Sequence, residues 1–321
     1  MSDTNKKLIS VIIPAFNEGE NINVCYQRLK AVFSGIESYQ YEFIFINDGS
    51  SDDTQQIINQ ICFQDSGITS IVLSRNFGKE AAMTAGLDYS KGDVVFVIDA
   101  DLQDPPELLP QFIKEWENGY DVVYGKQISR DGETKFKKIT AKLFYRVIGI
   151  MSNIDIPADT GDFRLMSRRS VNALLELREH HRFMKGLFAW VGFPSKAIEY
   201  KREPRLLGDT KFNYWKLWNF AIEGISSFSV APLKIATYLG LFVSIFSFIF
   251  GAWVIIKTLF FGEVVPGYPT LMTTILFVGG AQLFFIGILG EYIGRIFGET
   301  KKRPLYIIQE INKSKYLNFK N

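Results

Sequence analysis

Short, nearly unbroken apolar runs alternate with stretches of helical spacing in the first hundred residues. Residues 8–14 (LISVIIP), 41–46 (YEFIFI), 68–74 and 93–98 (DVVFVI) each read as a buried strand ending at a polar turn. Residues 20–33, 52–61 and 79–90 carry apolar positions at helical intervals, and Ser51 or Asp52 is the expected N-cap of the second. Strands alternating with helices predict an α/β fold with a mostly parallel sheet. Polar residues gather just past the strand C-termini, where open α/β sheets bind ligands.

The pattern then changes. In residues 136–151, Phe136, Ile139, Leu143, Phe144, Val147, Ile148 and Met151 share a face, with Lys137, Lys138, Lys142 and Arg146 between them. Such a helix either packs on the core with a solvated basic face or lies on an anionic membrane surface. Residues 213–227 place Tyr214, Trp215, Trp218, Ala221, Ile222 and Ile225 on one face, a composition that favours the membrane–water boundary. Residues 235–256 and 270–290 contain no charged side chain, and each matches the span of about 20 residues that crosses a hydrocarbon core. Lys211, Lys216 and Lys234 precede the pair, and Arg295, Lys301, Lys302 and Arg303 follow it. The connection holds one basic residue, Lys257. The positive-inside rule places both outer ends in the cytoplasm. The expected organisation is a cytoplasmic domain over residues 1–228, a transmembrane hairpin over 229–297 and a cytoplasmic tail over 298–321, in the cytoplasmic membrane.

Composition narrows the classes. The 321 residues are 47% hydrophobic and 15% aromatic, and 36 basic against 34 acidic side chains leave a net charge of +2. That excludes a disordered or collagen-like chain and argues against a nucleic-acid binder. Residues 1–7 are polar, without the apolar core of a signal peptide. Cys25 and Cys62 have no metal-type spacing and read as small apolar fillers in a reducing compartment. His180 and His181 have no ligand partners at a suitable spacing and read as core or surface residues. Gly279, Gly280, Gly287, Gly290 and Gly294 suit close helix packing, which makes self-association into a homo-oligomer an expectation.

The strongest chemical signal is Asp99-Ala100-Asp101-Leu102-Gln103-Asp104-Pro105-Pro106, directly after the fourth strand. Two carboxylates two residues apart at a strand end can turn toward one cation, and hard oxygen ligands suit Mg²⁺ or Mn²⁺ bridging a diphosphate. An acidic turn is the alternative. Pro14-Ala15-Phe16-Asn17-Glu18 follows the first strand and Asn47-Asp48-Gly49-Ser50-Ser51-Asp52 the second. A carboxylate there can accept hydrogen bonds from a base or a ribose, although Asp48 before Gly49 is also an ordinary turn residue.

Together with Arg75-Asn76-Phe77-Gly78-Lys79, Asp159-Thr160-Gly161-Asp162-Phe163-Arg164-Leu165, Gly290-Glu291-Tyr292-Ile293-Gly294-Arg295 and Arg303-Pro304-Leu305-Tyr306, these motifs resemble the GT-A family 2 glycosyltransferases. The likeness covers nearly the whole chain. It is nearest to the polyprenyl-phosphate hexosyltransferase branch, which holds bactoprenol glucosyltransferases and dolichol-phosphate mannose synthases. The resemblance implies a GT-A nucleotide-sugar-binding domain followed by two transmembrane helices. It implies nucleotide-sugar binding by Pro14, Ala15, Glu18, Asp48, Lys79, Asp99 and Gln103, and a divalent cation, Mg²⁺ or Mn²⁺, on Asp99, Asp101 and Gln103. Asp162 and Arg164 are the implied catalytic pair, with Asp162 orienting the acceptor or acting as base. A capping aspartate is its alternative.

The implied acceptor is a lipid phosphate, already an anion at neutral pH, so deprotonation matters less than bringing two anions together. Arg130, Arg202, Arg205 and Lys211 are the candidate phosphate grips, each with a surface-charge alternative. The expected reaction is inverting transfer of a hexose, glucose from UDP-glucose first, to undecaprenyl phosphate. GDP-mannose or UDP-aminoarabinose as donor, or a non-catalytic membrane scaffold, are the alternatives.

Overall fold

The computed structural model describes residues 6–128, 157, 160–180, 182–202, 231–261 and 267–313. The expected amphipathic helices at 136–151 and 213–227 lie outside these residues, as do Arg130, Arg205 and Lys211.

The apolar runs become the centre of a mixed sheet. β1 (Lys7–Ala15), β2 (Tyr39–Asn47), β3 (Ile68–Leu73) and β4 (Val94–Val97) lie parallel, with β1 between β4 and β2. β5 (Val122–Gln127) and β7 (Ser195–Tyr200) run the same way at one edge. β6 (Thr160–Ser167) is inserted between β5 and β4 in the opposite sense, and β8 (Ile308–Lys313) pairs antiparallel with β3 at the other edge. Among the described residues the order is β7-β5-β6-β4-β1-β2-β3-β8. The sequence reading assigned no strand to the tail. The Ile308-Gln309-Glu310-Ile311 segment closes the β3 edge instead.

Period-two alternation gives the sheet two apolar faces. Ile9, Val11 and Ile13 face α1 (Gly19–Ser34), α2 (Thr54–Gln64) and α4 (Leu109–Glu117), the last entered through a 3₁₀ turn at Pro106–Leu108. Ile12, Ile44, Ile46 and Val97 face α3 (Lys79–Tyr89), α5 (Arg168–Glu176) and α6 (Met184–Trp190). α3 approaches the sheet closely: a Cβ on Gly86 would lie 2.4 Å from Ile12 Cγ2 and 2.8 Å from Ile46 Cδ1. That seating fixes where the first turn of α3, with Lys79 and Glu80, meets the strand ends.

The N-cap expectation shifts by one or two residues. α2 begins at Thr54 with Asp53 at the cap position, and no side-chain cap bond forms there. Asp52 instead accepts from the Thr54 amide at 3.1 Å and from the Gly19 amide at 3.1 Å, so it ties two loops together.

Two long helices follow, α7 (Ala231–Phe261) and α8 (Tyr268–Thr300). Leu239 and Val243 of α7 and Phe277, Gly280 and Phe284 of α8 line a common apolar crevice. Large apolar side chains such as Phe242, Phe246, Leu283 and Phe284 are exposed along both helices. Among the described residues one stretch, Phe277–Thr300, is long and apolar enough to cross a membrane.

Candidate active site

Parallel strands end on one edge, so the loops after β1, β2, β3 and β4 meet there. β6 runs the other way and therefore begins at the same edge, which delivers Asp162 to it.

The first two loops are laced by their own polar groups. The Asp48 amide donates to Ala15 O at 2.9 Å and the Glu18 amide to Thr54 Oγ1 at 3.0 Å. Asn17, in the left-handed region at φ 54°, accepts the Ser51 amide on Oδ1 at 2.8 Å. Pro14 and Ala15 lie within β1 and are buried, so they present backbone rather than side chain. The exposed side chain of this turn is Phe16. Glu18 accepts from Asn21 Nδ2 at 2.6 Å.

Asp48 is buried at the head of the cleft. Its two oxygens accept the amides of Phe77 and Gly78 at 2.7 and 2.9 Å. Burial raises its pKa, while those amides and Arg75 act in the opposite direction. The carboxylate thus holds the β3–α3 turn in place, and Gly49 at φ 69° lets that turn pack against it, since a Cβ there would lie 2.5 Å from Arg75 C. Arg75 stacks over Phe77 at 4.2 Å.

The charged centre lies below. Lys79 Nζ sits 2.8 Å from Asp99 and 2.6 Å from Asp162 Oδ2. It therefore joins the acidic bend after β4 to the start of β6. Desolvation opposes the ammonium's charge, but Asp162 and Asp99 outweigh it and raise its pKa. Burial raises Asp99, reinforced by the nearby Asp162 and Asp101. Asp162 is held below its ordinary value: Lys79, Arg164 and Lys185 overcome its burial.

Arg164 shares a face of β6 with Asp162 but lies deeper. Its guanidinium packs 3.4 Å over the Phe188 ring of α6 and donates from Nη2 to Gly161 O at 2.7 Å. Burial lowers its pKa to about 10. Glu80, beside Lys79, accepts the Met184 amide at 3.2 Å and so ties the start of α6 to α3. Burial and Asp162 push Glu80 up to about 8. Burial, helped by Lys79 and Arg164, lowers the pKa of Lys185, the next residue of α6, against the opposing pull of Asp162 and Glu80. Glu80 and Lys185 were not singled out in the sequence. The sole hint was a charged pair at the head of α3 and a lysine inside an apolar segment.

After Asp99 the chain bends at Leu102, which is fully buried at φ 54°, and Asp101 Oδ1 accepts the Gln103 amide at 3.2 Å. Asp104 is buried beneath the bend, accepts Tyr200 Oη at 2.5 Å and lies 3.5 Å from Arg202 Nε. Burial raises it to about 6. Arg202, expected on the acceptor phosphate, is thus anchored to the base of the acidic bend.

Among the described residues no group of three or more His, Cys, Asp or Glu side chains converges as a metal cage. Asp99 and Asp101 still fit a hard divalent cation that draws its other ligands from a diphosphate and water, the arrangement Mg²⁺ and Mn²⁺ accept readily. Asp162 and Asp101 oppose ionisation of Asp99 while Lys79 favours it, and such a cation would add to the Lys79 charge in offsetting that repulsion.

Residues 10–175 match the family model for glycosyl transferase family 2, and residues 231–296 match the GtrB C-terminal hairpin. The α/β domain is GT-A-like, with a mostly parallel sheet. A Synechocystis protein named as a glycosyltransferase is 51% identical over 96% of this chain and 97% of its own length. The prophage bactoprenol glucosyl transferase homolog of Escherichia coli K12 is 48% identical over 95% of this chain and 99% of its own length. The bactoprenol glucosyl transferase of Shigella phage SfII is 49% identical over 94% and 97%.

Proposed function

The chain belongs to glycosyl transferase family 2 and is a glycosyltransferase; from that premise we propose that it transfers a hexose from a nucleotide sugar to a polyprenyl phosphate at the cytoplasmic face of a membrane. The observation that carries the reading is Lys79 between Asp99 and Asp162, which gathers two distant acidic motifs into one charged centre at the strand ends. Glucose from UDP-glucose and undecaprenyl phosphate are the proposed substrates, in keeping with the names of the relatives.

The nucleoside lies against the loops after β1 and β2, with Asp48, Glu18 and the Pro14–Ala15 backbone around base and ribose. Asp99, Asp101 and Gln103 would hold Mg²⁺ or Mn²⁺. The cation, when bound, neutralises charge that develops on the departing nucleotide. Lys79 supplies a fixed positive charge beside the phosphates of that nucleotide. Asp162, kept ionised by Lys79 and Arg164, orients the acceptor on the opposite face of the sugar, and displacement in line inverts the anomeric carbon. A phosphate acceptor is already deprotonated, so Asp162 has little proton to remove. Lys185 and Arg202, with Arg130, Arg205 and Lys211, offset the repulsion between the two anionic substrates.

The helical hairpin explains how a lipid phosphate reaches this cleft. In the proposed arrangement α7 and α8 form the hairpin, α8 crosses the membrane over Phe277–Thr300 and α7 crosses beside it, with both outer ends cytoplasmic and the catalytic domain at headgroup level. The test is incubation of the purified full chain with a panel of radiolabelled nucleotide sugars and a polyprenyl phosphate, followed by lipid extraction. The reading requires label in the lipid phase from UDP-glucose. Label from GDP-mannose or UDP-aminoarabinose alone would reassign the donor, and no lipid-linked label from any donor would overturn the reading.

A further inference from the structure

The Arg303-Pro304-Leu305-Tyr306 motif has no place in the transfer chemistry. In the structure it forms the join between α8 and the sheet. Tyr306 Oη donates to Asp88 Oδ2 at 2.6 Å, and Arg178 grips the same carboxylate with Nη1 at 2.9 Å and Nη2 at 2.5 Å. The His180 amide donates to Glu299 Oε1 at 2.7 Å. Around these contacts opens a pocket of about 500 Å³, with Arg178, His180, Lys302 and Arg303 in its lining.

The acidic groups of this lining are already engaged. Asp88 is taken by Arg178 and Tyr306, and Glu299 by the His180 amide. Arg178 uses two of its five N–H donors on Asp88. Lys302 stands at φ 47°, just past the last turn of α8, and both Lys302 and Arg303 are exposed. The buried Arg182, whose main charge partner is the Glu179 carboxylate, has Nε and Nη2 without a hydrogen-bond partner among the described residues. Arg178, Lys302 and Arg303 outnumber Asp88 and Glu299 in the lining, so the pocket carries a net positive charge, and its volume is that of an ordinary ligand site. Its position is equally specific. It opens at the end of Phe277–Thr300, the stretch long and apolar enough to cross a membrane, which in the proposed topology places it near the headgroups. Asp88 lies at the far end of α3 from Lys79, about 13 Å along a helix rising 1.5 Å per residue, so this is not the acceptor cleft.

We infer that this pocket binds the phosphodiester headgroup of an anionic phospholipid, gripped by Lys302, Arg303 and the remaining donors of Arg178, and that the bound lipid fixes α8 against α3. The inference rests on the proposed crossing of the membrane by α8, not on the transfer reaction.

The test is native mass spectrometry of the full chain in neutral detergent, with phosphatidylglycerol or phosphatidylcholine added. Wild type is expected to retain phosphatidylglycerol in preference to phosphatidylcholine. Lys302→Gln with Arg303→Gln is expected to weaken that retention about 30-fold, at roughly fivefold for each basic side chain at a membrane surface. Lys302→Arg with Arg303→Lys keeps the charge and is expected to keep the lipid. These exposed side chains can be exchanged without loss of fold, and transfer to a short-chain polyprenyl phosphate in detergent is expected to survive in both variants. Equal retention by wild type and the Gln variant would overturn the inference, as would equal retention of the two lipids. Displacement of phosphatidylglycerol by millimolar glycerol phosphate would overturn the lipid assignment. A wild type that fails to transfer sugar but holds phosphatidylglycerol would remove the proposed reaction and leave this site standing.

Discussion

Lys79 Nζ lies 2.6 Å from Asp162 Oδ2, joining residues 83 positions apart in the chain, and its second contact at 2.8 Å reaches Asp99. Without that ammonium, two carboxylates would face each other in a cleft that disfavours charge. Lys79→Met is therefore expected to lower kcat about 100-fold, the scale of losing one electrostatic contact in an active site. Lys79→Arg should retain part of the rate. Steady-state kinetics with varied nucleotide sugar checks this, and an unchanged kcat in Lys79→Met would contradict it.

Glu80 gives a pH signature. Its ordinary value of 4.5 is pushed up to about 8, by burial first and Asp162 second. Above the unfolded value the unfolded chain has released a proton that the folded chain still holds. Stability should therefore fall as pH rises from about 5 to about 8. Glu80→Gln still accepts the Met184 amide and has no proton to lose. Its thermal midpoint is expected to depend less on pH across that window than that of wild type. Parallel curves for the two proteins would refute the assignment.

Gly86 tests how the site is seated. Alanine is favoured in a helix by about 1 kcal/mol over glycine, so propensity alone predicts stabilisation by Gly86→Ala. The added Cβ would meet Ile12 Cγ2 at 2.4 Å inside a packed face. Overpacking of that kind costs about 1–3 kcal/mol. Denaturant unfolding is expected to show a net loss of stability, together with reduced activity as the first turn of α3 shifts. A stabilised Gly86→Ala would mean that α3 can move away without cost.

The first four strands and three helices were legible because each is a local pattern. Runs such as residues 8–14 are buried on both faces, and that leaves an unbroken apolar signature. The acidic bend was legible because its two carboxylates are close in sequence. What brings Asp162 to Asp99 was not legible from periodicity. β6 pairs antiparallel between β4 and β5, and a strand's partner is set by packing across distant segments. The same holds for Asp104 under Tyr200, for Glu80 on the Met184 amide and for β8 on β3. The Phe163/Leu165 against Arg164/Met166 alternation was the available signal for β6. It marks a strand but not its neighbours.

The central claim, metal-assisted transfer of a hexose to a lipid phosphate, is tested most directly by one assay. Purified full-length protein is given radiolabelled UDP-glucose and undecaprenyl phosphate, and the label extracted into organic solvent is counted, with and without chelator, for wild type and Asp101→Asn. The account predicts label in the lipid phase that chelator abolishes and Mn²⁺ or Mg²⁺ restores, and a loss of about 100- to 1,000-fold in Asp101→Asn, on the scale of removing an electrostatic stabiliser of the leaving group. Undiminished lipid labelling in chelator, with Asp101→Asn as fast as wild type, would contradict it.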